Sequence, residues 1–161
     1  MKKLLKISAC LAIVSSLILH IIPDKAPDVY LNFIDGQKVN ISSYRGAPLL
    51  VTFWSITCSY CLKEIPRLSE LYNELNPYGF EIIGIAMSYD QPNRVIELSK
   101  KNQIPYSIAL DISSDAEKAF GSIRATPTSF LIDSNVKIIQ HDVGTMNIKK
   151  LRSKIKRILQ T

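Results

Sequence analysis

A chain of 161 residues that is 47% hydrophobic and 21% charged holds one globular domain, which excludes a disordered chain and leaves little for a second domain. Three cysteines are too few for a disulfide-stapled scaffold, so a packed core holds the fold and the thiols are free for chemistry. The net charge of +6 does not mark a nucleic-acid binder, because Lys2, Lys3 and Lys6 supply three of those charges and the excess in the remainder concentrates in one terminal helix.

The chain opens with those lysines and a nearly continuous apolar run over residues 7–22, free of acids, proline and glycine. With Leu4 and Leu5 included and Lys6 snorkelling to the interface, residues 1–22 suffice for a transmembrane signal anchor. Basic residues ahead of the span keep the amino end cytoplasmic and export the rest, so the expected location is the inner membrane with the domain in the periplasm. Two alternatives stay open. A cleaved signal peptide is disfavoured by the bulky end Ile18, Leu19, His20, Ile21 and Ile22, and a lipidated Cys10 after Ile7, Ser8 and Ala9 is disfavoured because the apolar residues continue past it. All three routes put the domain outside the cytoplasm.

Residues 23–28, stiffened by Pro23 and Pro27, form a linker, and residues 29–161 form the domain. Strands are expected at 29–33 and 39–41 around an Asp35-Gly36 turn, then at 49–54, where LLVTFW reads as a strand covered on both faces. Leu62, Ile65, Leu68, Leu71, Tyr72 and Leu75 recur at helical spacing, which predicts a helix over 61–75. A buried strand at 80–87, a helix at 95–101, a short strand at 106–110 and a helical turn at 116–120 follow. Strands at 129–132 and 137–139 join at Asp133, Ser134 and Asn135, and a final helix begins at Asn147. That helix sets Ile148, Leu151, Ile155 and Ile158 against Lys149, Lys150, Arg152, Lys154, Lys156 and Arg157. The basic face reads as solvated, with anionic lipid headgroups as the alternative partner. The alternation predicts an α/β fold with parallel central strands and an antiparallel hairpin at the edge.

The chemistry lies in the CSYC stretch from Cys58 to Cys61, between a buried strand and a helix. Cysteines three apart at a helix start put the first sulfur at the helix mouth, where unpaired N–H groups and the dipole favour a thiolate, and the second one turn inside. Cys58 is therefore the expected nucleophile and Cys61 the resolving thiol, the two cycling through a disulfide. A structural zinc site needs four ligands; His20 lies in the anchor stretch and His141 is isolated, so no metal is expected.

The segment TFWSITCSYCLKEIP at 52–66 resembles the active-site segment of the TlpA/ResA/DsbE group of extracytoplasmic thioredoxin-like proteins. Residues 29–46 are similar to the hairpin that group adds at the amino end, ATPTSFLID at 125–133 to its cis-proline loop and following strand, and Val143, Gly144 and Thr145 to the segment before its last helix. The resemblance implies a thioredoxin fold with an added N-terminal β-hairpin and a central βα insertion. It also implies a cis bond before Pro127 that exposes the Thr126 backbone beside Cys58 for an extended substrate. Trp54 either flanks the site or is simple core. Thr52 stands where thioredoxins carry a buried acid, and Asp90 lies one residue beyond the carboxylate often found after the group's central strand. Asp90 is therefore a candidate proton acceptor for Cys61, or else an acid capping the next helix.

The expected function is a disulfide reductase for exported cysteine-containing proteins, for example ahead of haem or copper insertion as in cytochrome c biogenesis. The resemblance implies electrons from a membrane partner and no cofactor beyond the redox-active disulfide. The same dithiol chemistry run as an oxidase or isomerase is the nearest alternative, since direction depends on potential. A peroxiredoxin-like peroxidase lacks its expected upstream proline, Phe53, Trp54 and Ser55 standing there instead. A copper-binding chaperone lacks a methionine or histidine beside the two sulfurs.

Overall fold

A computed structural model describes residues 23–160. The expected anchor over 1–22 lies outside these residues, and among the described residues no helix is long and apolar enough to cross a membrane. The elements in chain order are β1 (Tyr30–Phe33), β2 (Lys38–Asn40), a 3₁₀ turn (Ile41–Tyr44), β3 (Leu49–Trp54), α1 (Ser59–Leu75) and β4 (Glu81–Ala86). There follow α2 (Pro92–Lys101), β5 (Ser107–Leu110), α3 (Asp115–Ala119), β6 (Thr128–Ile132), β7 (Ile138–Val143) and α4 (Ile148–Leu159).

Seven strands form one sheet in the order β2-β1-β5-β4-β3-β6-β7. β3, β4 and β5 are parallel, β6 adds on antiparallel to β3, and β7 pairs antiparallel with β6 at the edge. β3 is the hub: all six of its residues are buried, which is why its sequence lacks polar alternation. Its side chains point alternately into two cores. Leu50 and Trp54 join Leu68, Leu71, Leu151 and Ile155 beneath α1 and α4. Leu49, Val51 and Phe53 join Phe33, Phe120 and Phe130 on the other face. There Phe53 meets Phe120 and Phe130 edge-on, with ring centroids 5.3 and 6.2 Å apart.

Several boundaries differ from the sequence reading, each for a local reason. Ile41 leaves β2 for the 3₁₀ turn because Asn40 caps it, its side chain accepting the Ser42 N–H at 2.8 Å. α1 starts two residues early because Cys58 is its N-cap. α2 starts three residues early, at Pro92, whose missing N–H suits a first helical turn. β7 runs on to Val143 through Gln140, His141 and Asp142, a polar stretch that alternation alone does not mark as a strand. Its pairing with β6 holds it, and an edge strand tolerates such residues.

The linker is tied to the sheet edge. Lys25 bridges Lys137, and Ile138 N–H donates to the Asp24 carbonyl at 3.0 Å. This contact sits at the start of β7, whereas the far end, Val143, lies opposite Thr128 beside Pro127.

Candidate active site

β3 ends at Trp54, and a tight loop of Ser55, Ile56 and Thr57 delivers Cys58 to the mouth of α1. Cys58 N–H closes the loop on the Ser55 carbonyl at 3.1 Å. The sulfur accepts the Cys61 N–H at 3.1 Å, so it occupies the position a serine or aspartate oxygen usually takes as a helix cap. No acid lies in the first turn of α1 to oppose a negative charge there. Cys58 and Cys61 are joined in a disulfide with Cα atoms 5.2 Å apart. Cys58 is half-buried, whereas Cys61 is only 3% exposed, so an incoming macromolecule reaches the first sulfur and not the second.

The loop before β6 faces this pair. The Thr126–Pro127 peptide bond is cis, and the Thr126 carbonyl oxygen lies 3.4 Å from Cys58 Sγ. Beside Thr57 a groove of about 410 Å³ runs between the loop and α2, lined by Ile56, Leu62 and Leu98 with Arg94 and Lys101 at its rim.

Trp54 is 4% exposed and belongs to the core, yet it also lines a cavity of about 10 Å³ with Cys61, Glu64, Tyr106 and Pro127. Its indole nitrogen has no hydrogen-bond partner. Thr52 lines the same cavity, and its hydroxyl accepts from Ser129 Oγ at 2.9 Å.

The acid that shares a cavity with Cys61 is Glu64, one helical turn on, a residue absent from the candidates drawn from sequence. Glu64 is 2% exposed, and its Oε1 accepts the Met146 N–H at 2.7 Å. Burial pushes its carboxyl up from the usual range, opposed by the Met146 hydrogen bond and Arg67, with Asp142 adding to the rise. Burial, and then the Glu64 charge, push the Tyr106 hydroxyl up as well. A signal was available: an acid beside Ile65 on the apolar stripe of an amphipathic helix faces inward and needs a reason to be there.

The Asp90 carboxylate faces the loop that precedes the cysteines. Its Oδ1 accepts the Ser55 hydroxyl at 2.9 Å and its Oδ2 the Ile56 N–H at 3.1 Å, so both oxygens are spent on the loop before Cys58. The cap of α2 is Gln91, with no side-chain cap bond, so Asp90 does not cap that helix.

Residues 22–141 match the AhpC/TSA family. The chain is also 30% identical over 135 residues to the thiol-disulfide oxidoreductase ResA of Bacillus thuringiensis subsp. konkukian, covering 83% of this chain and 76% of that protein. It belongs to the ResA-like thiol–disulfide oxidoreductases of the AhpC/TSA family. Among solved structures, this ResA-like chain superposes on a putative thioredoxin from Neisseria meningitidis with a TM-score of 0.78 at 26% identity, covering 86% of this chain and 93% of that one. A thioredoxin family thiol:disulfide interchange protein from Chlorobium tepidum TLS gives 0.77 at 27%, covering 85% and 97%. The fold is thus the thioredoxin fold, and the ResA-like chain is a thiol–disulfide oxidoreductase carrying the Cys58–Cys61 disulfide.

Proposed function

We propose that this oxidoreductase is a membrane-anchored, extracytoplasmic reductase of disulfides in exported proteins, with Cys58 as nucleophile and Cys61 as resolving thiol. The observation that carries the roles is the asymmetry of the pair. Cys58 sits at the helix mouth with an N–H aimed at its sulfur and the Thr126 carbonyl beside it, while Cys61 is buried behind.

In the reduced enzyme the Cys58 thiolate attacks one sulfur of a client disulfide, and the other client sulfur leaves and takes a proton. Cys61 then loses its proton and attacks Cys58 Sγ, expelling the second client thiolate and closing the Cys58–Cys61 disulfide. Two electrons pass to the client. Glu64, in the shared cavity, is the group placed to take the Cys61 proton, directly or through a single water. A membrane dithiol protein returns the enzyme to its reduced form, and no other cofactor is required. Export rests on the basic-then-apolar residues 1–22.

A Cys61→Ala variant tests the scheme, because it lacks the second attack and holds Cys58-linked mixed disulfides that mass analysis of the client peptides identifies. Absence of any Cys58 adduct in cells producing that variant refutes the roles assigned to the two cysteines. Redox titration against glutathione sets the direction: a potential above the compartment's poise makes the protein an oxidant instead. Carbonate extraction of membranes tests the anchor, and release of the chain into the soluble fraction refutes it.

A further inference from the structure

We propose that Asp90 is a positioning residue, holding the loop that presents Cys58 through hydrogen bonds to Ser55 and Ile56. The inference rests on Cys58 being the attacking sulfur, and it concerns what keeps that sulfur at the helix mouth.

The hydrogen bonds define a direction. Asp90 as a carboxylate only accepts, so the single hydroxyl hydrogen of Ser55 points at Asp90 Oδ1, 2.9 Å away. Thr57 Oγ1, 2.9 Å from Ser55 Oγ, is therefore the donor in that contact, and Thr57 N–H donates to the same oxygen at 3.2 Å. Ser55 Oγ thus gives one hydrogen bond and receives two, its full capacity. Its carbonyl receives Cys58 N–H at 3.1 Å. Every residue from 55 to 58 is tied into one network whose terminal acceptor is Asp90.

That acceptor is buried and anchored. Asp90 is 8% exposed and Ser55 1%, so bulk water does not substitute for either partner. Among the described residues no cation lies within ion-pair distance of Asp90; the ion pairs found are those of Glu74. A buried carboxylate with no counter-ion carries a desolvation penalty that only its hydrogen bonds offset, and all its side-chain bonds go to this loop. Its own backbone is fixed, Asp90 N–H donating to the Met87 carbonyl at 3.0 Å and Met87 N–H to the Trp54 carbonyl at 3.1 Å. The loops after β3 and β4 are therefore joined twice, once through backbone and once through Asp90. Releasing the second join frees Cys58 from the extended backbone (φ −85°, ψ 105°) that aims its sulfur at Cys61 N–H.

The test reduces the full-length protein and follows alkylation of the Cys58 peptide by mass spectrometry at pH 7. Asp90→Ala slows alkylation about tenfold, the rate equivalent of roughly one unit in thiol pKa. Ser55→Ala slows it comparably, and the double variant is within about twofold of the slower single one, as members of one network behave. Asp90→Asn recovers at least about threefold over Asp90→Ala, because its amide oxygen still takes Ile56 N–H while its NH₂ faces Ser55 Oγ. A residue acting only by its charge gives the opposite order: both Asp90 variants equal or exceed the wild type, since losing a nearby anion favours the thiolate. That outcome overturns the proposal, as do multiplying effects in the double variant or an Asp90→Asn no faster than Asp90→Ala. Should Asp90→Ala not fold, an unchanged rate in Ser55→Ala overturns it equally. A wild-type Cys58 that resists alkylation refutes the functional reading and this inference together, whereas a reactive wild type with unaffected variants refutes the clamp alone.

Discussion

Gly84, in the middle of β4, lies under the active site, and adding one methyl there sets two opposed effects against each other. A Cβ at Gly84 falls 2.8 Å from Ile108 Cδ1, 3.2 Å from Trp54 Nε1 and 3.4 Å from Tyr106 Cε2. Replacing a strand glycine with alanine gains about 0.5–1 kcal/mol by restricting the unfolded chain. Against this, Ile108 is 3% exposed and Trp54 4%, so neither moves freely, and overpacking of this kind costs about 1–3 kcal/mol. Overpacking wins. Gly84→Ala is expected to be less stable by about 0.5–2 kcal/mol, a fall of roughly 1–8 °C in midpoint temperature. Urea unfolding followed by fluorescence measures it, Trp54 being the single tryptophan. The cause is checked by Ile108→Val, which deletes the methyl nearest the clash and by itself costs about 0.5–1.5 kcal/mol. Combined with Gly84→Ala, it should give a double variant more stable than the sum of the two losses by at least about 0.5 kcal/mol. A Gly84→Ala protein as stable as the wild type, or strict additivity with Ile108→Val, would falsify the packing argument.

The buried Glu64 carries a pH signature. Its carboxyl is raised by burial, so the protonated form suits the fold, and its contribution is full below the unfolded pKa and lost as pH rises through the higher folded value. Glu64→Gln, which keeps an acceptor for Met146 N–H, should match the wild type in acid and exceed its stability at pH 8; parallel urea curves at both pH values decide, and a constant difference refutes the assignment. Asp111 accepts the Ala116 and Glu117 N–H groups at 3.0 and 2.8 Å and so caps α3. Asp111→Ala should cost about 1–3 kcal/mol in urea unfolding, with an unchanged midpoint counting against the cap. Glu74, by contrast, pairs with Arg152 and Lys156 at 2.8 and 2.7 Å on open surface, where all three side chains are a third or more exposed. Glu74→Ala should cost less than about 1 kcal/mol, and a larger loss would show the α1–α4 contact to depend on these charges.

The parts of the site that were legible in the sequence are those encoded by near neighbours. A continuous β-favouring run, two cysteines three apart and an amphipathic helix together place Cys58 at a helix mouth and Cys61 inside, and the structure has that arrangement. Local pattern does not single out Glu64, because it sits among charged residues in the string KEIPRLSE and only its phase on the helix separates it from solvated neighbours such as Lys63 and Arg67. Asp90 stands out in the sequence as an acid after a buried strand, but its partners Ser55 and Ile56 lie 35 and 34 residues away, beyond any local pattern.

Local sequence determined the identity and order of the elements and the pairing of two sulfurs across one helical turn, because turn propensities, apolar periodicity and helix-end chemistry act over a few residues. Tertiary structure alone decided the strand order β2-β1-β5-β4-β3-β6-β7, the approach of the Thr126 carbonyl to Cys58, and which acid lies under the disulfide and which grips the loop above it. Those depend on how buried strands find partners and how two cores share one sheet, and such long-range contacts leave no periodicity in the chain that encodes them.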